Sequence, residues 1–327
     1  MNMKSILKHF DRIDSNSIAD AKVAKRVARL QQKRKQAGFT LLELLVVVAI
    51  LAAIAGTATI ALQDTDARAS AAAHVAMMDE LNKGIRTFRV LNKNTLPNNF
   101  DSLIATASTP VPATPVTGGL ISIAAIEDVA PVALTQDAVD VLDAGGITAL
   151  QYVDETQDDG IATTPDCSDL EGIVSSRANA YVAGNIFLTP DGNGCGVART
   201  LEAGDNVMFW TGGQERLTGQ PAAAGVTEFD GTNLATADGK AYMAVGLGPA
   251  STLFNANDLG GMTSVPVYRH VGASEYNRFI ALFDLGSFDG AGSLTASDQA
   301  VLVSIVDGAG DTKEEELGEW DGTRNTI

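Results

Sequence analysis

The chain has 327 residues, room for one or two domains, and a formal net charge of −17 from 23 Lys and Arg against 40 Asp and Glu. The charge is unevenly divided: residues 1–38 hold ten Lys and Arg against three Asp, a net charge of +7, and residues 39–327 have a net charge of −24. A region this acidic repels nucleic-acid phosphates, so the composition excludes nucleic acid as a partner and favours a protein, a sugar or a cation.

The first predicted element is a basic leader over residues 1–38, with no apolar run that could form a core. Its stretch SIADAKVAKRVARLQQKRKQ predicts a basic helix, and three consecutive basic residues at 33–35 come shortly before Gly38. Basic residues before an apolar run place the N-terminus in the cytoplasm and the rest of the chain outside it.

The second element is an apolar run of 24 residues from Phe39 to Leu62 with a single charged side chain, Glu43. A helix of that length measures about 36 Å, against about 30 Å for the hydrocarbon core of a bilayer. The sequence therefore predicts a transmembrane and assembly helix over residues 39–62. A secretory signal peptide is excluded, because such a peptide has a shorter apolar run and is cut after it, whereas the small residues at 37–38 come before this run. A carboxylate in lipid costs about 2.5–3.5 kcal/mol, so Glu43 needs an explanation.

The helical pattern continues past Leu62, because the chain stays rich in alanine and has no proline before Pro97. We predict one helix from about Phe39 to about Leu91, with an amphipathic continuation assigned to residues 63–95. Its apolar face follows spacings of three and four and comprises Val75, Met78, Leu81, Ile85, Phe88 and Leu91.

Residues 96–327 are predicted to form an exported, acidic globular head. The stretch 105–119 is a linker rich in Pro and Thr, residues 134–146 are a short helix ended by glycine, and residues 297–308 are a helix near the C-terminus. Short apolar runs between turn clusters predict strands at 149–153, 179–189, 206–211, 240–248, 264–271 and 277–286. The predicted fold class is α+β, a long N-terminal helix packed on a β-rich, largely antiparallel head.

The two cysteines, Cys167 and Cys195, both lie on the predicted exported side. An even number of cysteines in an oxidising compartment predicts one disulfide, here closing a loop of about 28 residues. The alternative is a pair of free thiols.

The stretch QAGFTLLELLVVVAILAAIAG resembles the N-terminus of type IV pilins and of the related pseudopilins of type II secretion systems. The matching features are the basic leader, Gly38 before the cut, Phe39 after it, Glu43 as fifth residue of the mature chain, and the apolar helix. The resemblance covers residues 33–62 closely.

The resemblance implies a structural subunit and not an enzyme. Prepilin peptidase would cleave after Gly38 and methylate the amine of Phe39, and inner-membrane assembly machinery would join the product to other copies and related pilins. The product would end in a pilus or in a periplasmic pseudopilus.

The resemblance also gives Glu43 a role. Cleavage creates a charged amine on Phe39, and a charge buried among packed helices needs a partner. Glu43 lies one helical turn along and can pair with its own amine or with that of a neighbouring subunit. The alternative is a carboxylate at the membrane interface, in contact with water. One departure from the family is the lack of a proline in the apolar segment, where Gly56, Thr57 and Thr59 are the only local weakness.

The stretch SFDGAGSLTASD, Ser287–Asp298, has the spacing of a degraded EF-hand loop followed by an apolar helix. Asp289 and Asp298 would be calcium ligands at positions 3 and 12, although positions 1 and 5 lack their usual side chains. The alternative is a solvated turn that caps the helix.

Enzyme signatures are missing: there is no HExxH, no G-x-S-x-G and no P-loop, and the histidines at positions 9, 74 and 270 are scattered. Two rival functions remain. One is a membrane-anchored binding or enzymatic domain that never polymerises, and the other is a calcium-dependent adhesin subunit.

Overall fold

The computed structural model describes residues 14, 18, 20–35, 41–105, 128–154, 167, 185–188, 194–255, 261–271 and 275–321. The chain divides into two compact units, residues 1–67 and residues 68–327. The predicted linker, at 105–119, lies almost entirely outside the described residues.

The described residues form a mixed α+β structure. The α-helices are α1 Ala21–Lys35, α2 Leu41–Leu91, α3 Gln136–Gly145, α4 Gln214–Thr218 and α5 Lys313–Asp321. The strands are β1 Phe100–Ala105, β2 Val129–Ala133, β3 Ala149–Val153, β4 Gly196–Thr200, β5 Asn206–Trp210, β6 Lys240–Gly246, β7 Ile280–Phe288 and β8 Leu294–Val306.

Helix α1 confirms the predicted basic helix of the leader. It follows Asp20, whose Oδ1 accepts a hydrogen bond from the backbone N–H of Lys22 at 2.8 Å. A carboxylate in this position satisfies an N–H group that has no partner within the helix.

Helix α2 confirms the prediction of one long helix. It runs for 51 residues through Gly56 and Gly84 and ends at Leu91, before Pro97. The side-chain amide of Asn92 donates to the carbonyl of Phe88 at 3.0 Å and so satisfies one of the last carbonyl groups of the helix.

The predicted apolar face of α2 is correct for five of its six members. Val75, Met78, Leu81, Ile85 and Phe88 are buried in the core of residues 68–327. The sixth, Leu91, is 51% exposed, because it is the last residue of the helix and the chain turns at 92–94.

Strands β1 to β8 form one sheet. Its strand order is β2-β5-β6-β1-β3-β4, with β7 pairing β6 and β8 pairing β7. The pairs are antiparallel except for β1 with β3, so the predicted largely antiparallel head is confirmed. The parallel pair shifts register between Asp101 and Ala105, where Leu103 has a φ of 61°.

The predicted helix at 297–308 is wrong. These residues belong mainly to β8, which pairs with β7 from Phe288↔Leu294 to Ile280↔Val306. Val301, Val303 and Ile305 are β-branched, and such side chains fit a pleated strand better than a helix.

Four of the six predicted strands, 149–153, 206–211, 240–248 and 277–286, are confirmed as β3, β5, β6 and β7. Residues 264–271 form no strand: the chain there is irregular and contains Pro266, which lacks the N–H that a ladder needs. Of residues 179–189, those at 185–188 form a turn and the others lie outside the described residues.

The short helix predicted at 134–146 is confirmed as α3. Oγ1 of Thr135 accepts a hydrogen bond from the backbone N–H of Ala138 at 3.2 Å. Gly146 ends the helix with a φ of 93°, a conformation that favours glycine.

Among the residues that the structure describes, no helix combines the length and the hydropathy of a membrane-spanning segment. The transmembrane prediction for residues 39–62 is therefore not supported by the structure.

The structure contains the predicted disulfide between Cys167 and Cys195, whose Cα atoms lie 5.7 Å apart. Both cysteines are fully buried within the hydrophobic core. The bond joins residues 28 positions apart, and cross-linking a loop of this length removes entropy from the unfolded chain.

We expect Cys167→Ala combined with Cys195→Ala to lower the free energy of unfolding by about 3 kcal/mol. Urea unfolding of the detergent-solubilised full chain measures this change. The wild-type chain unfolded with a reducing agent is the matched control and should lose a similar amount. Equal unfolding midpoints for the variant and the oxidised wild type would show that the cross-link contributes nothing.

Candidate functional site

The predicted processing site is only partly described. Gly38 and Phe39 lie outside the described residues. Glu43 is in the first turn of helix α2, and its side chain is not described.

The part of α2 that follows Glu43 exposes a run of large apolar side chains. Between 44% and 63% of the surface of each is exposed. They are Leu44, Leu45, Val46, Val47, Val48, Ile50, Leu51 and Ile54. A contiguous apolar surface of this kind marks a protein or membrane contact.

The predicted weak point of α2 does not break the helix. The hydroxyl of Thr57 donates to the carbonyl of Ile54 at 3.0 Å, and that of Thr59 donates to the carbonyl of Ala55 at 2.8 Å. Hydroxyl groups bonded back to the preceding turn are satisfied without water, which suits a helix with an apolar surface.

The predicted calcium loop, Ser287–Asp298, comprises the end of β7, the turn at 289–293 and the start of β8. Oδ1 of Asp289 accepts hydrogen bonds from the backbone N–H groups of Ala291 and Ser293, at 2.8 and 3.0 Å. These bonds lower the pKa of the Asp289 carboxyl group. Asp298 lies on β8, four residues beyond Leu294 and so about 13 Å further along the strand. Because a strand replaces the expected helix, the EF-hand argument fails, and calcium binding by Asp289 and Asp298 stays a prediction without structural support.

A cluster of imidazole and carboxylate groups lies elsewhere in residues 68–327. His74 on α2, His270 and Glu316 on α5 place their ligand atoms within 4.8 Å of one another. Oε1 of Glu316 is 3.0 Å from Nδ1 of His74 and 3.6 Å from Nδ1 of His270. Glu316 and His74 are buried, whereas His270 is partly exposed.

Sequence reasoning missed this cluster and treated the histidines as scattered. His74 does lie at a helical spacing from Met78 and Leu81, which indicates the buried face of α2. Nothing in the sequence links it to Glu316, which is 242 positions away.

The electrostatics of the cluster follow from burial. Desolvation lowers the pKa of His74, and the nearby charge of Arg269 lowers it further. Burial raises the pKa of Asp307 to about 7, and Asp311 and Glu316 contribute to the increase. The three carboxylates Asp307, Asp311 and Glu316 form a second group within 4.8 Å, adjoining the histidines through Glu316.

A second buried carboxylate is Asp101 on β1, which is fully buried. The hydroxyl of Tyr276 donates to its Oδ2 at 2.5 Å, whereas Oδ1 has no hydrogen-bond partner. A Cβ atom on Gly248 would lie 1.9 Å from Oδ2, so only glycine leaves room for the carboxyl group here. Burial raises the pKa of Asp101 to about 7, against the opposing effects of Tyr276 and Arg278.

The contacts of Arg216 on α4 are structural. Its guanidinium group pairs with Asp128 at 2.6 Å and with Glu315 on α5 at 2.9 Å, and lies 5.0 Å from the ring centroid of Trp210. These contacts join α4, α5 and the segment before β2.

Comparison with known proteins shows that residues 33–59 match a family model, the prokaryotic N-terminal methylation motif. This motif is the signature of type IV pilin and pseudopilin precursors, so the predicted resemblance is confirmed. The matched range contains Gly38, Phe39 and Glu43. No curated protein and no solved structure matches the chain significantly.

Proposed function

We propose, from the premise that residues 33–59 carry the prokaryotic N-terminal methylation motif, that this chain is the precursor of a structural subunit of a type IV pilus-like filament. The precursor is inserted in the inner membrane with its N-terminus in the cytoplasm. Prepilin peptidase removes residues 1–38 and methylates the new amine of Phe39. The mature chain then polymerises through its N-terminal helix.

The motif match is the observation that carries the proposal. Two features of the structure support it. The first is that α2 continues as one helix from Leu41, inside the motif, to Leu91, so one element connects the motif to the buried face at Val75–Phe88. The second is the row of exposed apolar side chains at 44–54, a surface that helices of neighbouring subunits can cover.

The proposal assigns Glu43 a role in assembly. The amine of Phe39 is charged at neutral pH and loses its hydration when helices pack around it. A carboxylate one turn along compensates that charge within the subunit or across to a neighbour.

The processing steps are tested by the intact mass and N-terminal peptide mapping of the protein purified from native membranes. We expect a chain that begins at Phe39 and carries one added methyl group. A Gly38→Val variant is the control and should keep its leader, because a branched side chain obstructs access to the scissile bond. A wild-type chain that retains residues 1–38 would overturn the proposal and make the apolar run a plain anchor.

The class of filament is tested separately, because the motif is shared by pilins and by pseudopilins of type II secretion systems. Immunogold electron microscopy of whole cells should show the chain in filaments outside the cell. Loss of protein secretion on deletion of the gene, with no extracellular filament, would assign the pseudopilin alternative instead.

A further inference from the structure

We propose that His74, His270 and Glu316 form a binding site for a divalent transition-metal ion of the zinc type. The site lies within residues 68–327 and goes beyond the proposed function, because it does not depend on cleavage, methylation or polymerisation.

The chemistry of the donor atoms selects the metal. Two imidazole nitrogens and one carboxylate oxygen are ligands that Zn²⁺ prefers, whereas Ca²⁺ takes oxygen ligands almost exclusively. Three protein ligands with one further position are a common zinc arrangement. Asp307 and Asp311 place carboxylate oxygens within 4.8 Å of Glu316 and can bind a water molecule that fills that position.

The geometry is close to that of an occupied site. Ligands bound at about 2.1 Å in a tetrahedron lie about 3.4 Å apart. Oε1 of Glu316 is already 3.0 Å from Nδ1 of His74 and 3.6 Å from Nδ1 of His270. The three ligand atoms all lie within 4.8 Å of one another. Side-chain rotations that move these atoms by about 1 Å would therefore bring them to the separation found in a tetrahedral site.

The groups around the ligands hold them in orientation. Nε2 of His270 lies 3.0 Å from Oγ of Ser70, which directs the other ring nitrogen toward Glu316. The imidazole rings of His74 and His270 are 4.4 Å apart, and the buried ring of Tyr268 lies 4.7 Å from that of His74. A hydrogen bond on the ring nitrogen that does not face the ion, like that of His270 with Ser70, is typical of metal-binding histidines.

The charge balance also favours a cation. Glu316 and Asp307 are fully buried, and with Asp311 they concentrate three carboxylates in one place. Buried carboxylates of like charge are costly unless a cation offsets them. The ion would fasten α5 and the segment that carries His270 to helix α2, beside the contact of Lys313 with Asp79 at 2.8 Å.

The test uses the full chain in detergent, made without a polyhistidine tag and freed of metal with a chelator. Isothermal titration with Zn²⁺ should show one site per chain, and Co²⁺ should give the visible absorption of a tetrahedral complex. The ion should also raise the melting temperature. A titration without a saturable site would overturn the proposal.

Variants locate the site. His270→Ala changes a partly exposed residue and should fold normally, with Zn²⁺ affinity at least about tenfold weaker and no rise in melting temperature. Glu316→Gln should have a similar effect on affinity.

Two control variants should bind Zn²⁺ like the wild type. They are Glu314→Gln, which alters an exposed carboxylate on the same helix, and His9→Ala. Wild-type affinity in His270→Ala, or an equal loss in Glu314→Gln, would overturn the assignment. So would displacement of Zn²⁺ by excess Ca²⁺.

Discussion

Replacing Glu43 with Ala will leave the precursor inserted and cleaved after Gly38 but will nearly abolish filaments. On the proposed mechanism, Glu43 compensates the amine of Phe39 when helices pack together. Removing one partner of a buried ion pair costs about 3–5 kcal/mol, because the remaining charge has no compensation. A cost of that size reduces the equilibrium constant for adding a subunit by about 100-fold or more. Counting filaments by electron microscopy, with immunoblots for precursor and mature chain, measures both steps.

The matched control is Glu80→Ala, which removes an exposed carboxylate from the same helix outside the motif. It should leave both cleavage and filament number unchanged. Normal filaments from the Glu43→Ala variant would contradict the assembly role of the carboxylate. No filaments from the wild type despite correct processing, together with normal protein secretion after deletion of the gene, would favour the non-polymerising rival.

The second large effect is on the pH dependence of stability and comes from Asp101. Its carboxyl group is fully buried on β1, and its pKa is raised to about 7 mainly by desolvation. In the unfolded chain the group titrates near pH 4. Between about pH 4 and pH 7 the folded chain therefore binds more protons than the unfolded chain. We therefore expect Asp101 to contribute a fall in the free energy of unfolding as pH rises through this window, by up to about 1.4 kcal/mol per pH unit.

Asp101→Asn isolates this contribution, because an amide cannot ionise but can still accept the hydrogen bond from Tyr276. Urea unfolding at several pH values between 5 and 8 should show a shallower decline for the variant than for the wild type. Asp137→Asn, which alters an exposed residue of α3, should keep the wild-type slope. Parallel slopes for wild type and Asp101→Asn would show that Asp101 ionises normally in the folded protein.

The elements that could be predicted from sequence are those with a local signal. Helix α2 has a 3.6-residue period, abundant alanine and a proline after its end, and the structure confirms both the helix and its buried face. Helix α3 has a capping threonine and a terminal glycine, and it too is confirmed. The processing motif is a contiguous string of residues, so the family model finds it where the sequence analysis did.

The features that could not be predicted depend on distant residues. The segment that follows Ser297 is apolar, and its short length and spacing fit either a helix or a strand. Its β-branched residues favour the strand, and pairing with β7 stabilises it. Asp101 stands in a stretch of mixed polar and apolar residues, NNFDSLI, with no sign that it is buried, and the Tyr276 that bonds it is 175 positions away. The cluster of His74 with Glu316 spans 242 positions, and no periodic pattern reports contacts at that separation.

The contacts between α5, near residue 316, and α2, near residue 74, also determine when folding of residues 68–327 can finish during synthesis. The carboxylate of Glu316 bonds His74, and the amine of Lys313 bonds Asp79, across 242 and 234 positions. Neither contact can form until residues 313–316 have left the ribosome. Until then the part of α2 that carries His74 and Asp79 lacks these contacts, so the partly synthesised chain passes through an incomplete state that is open to proteases and to chaperones.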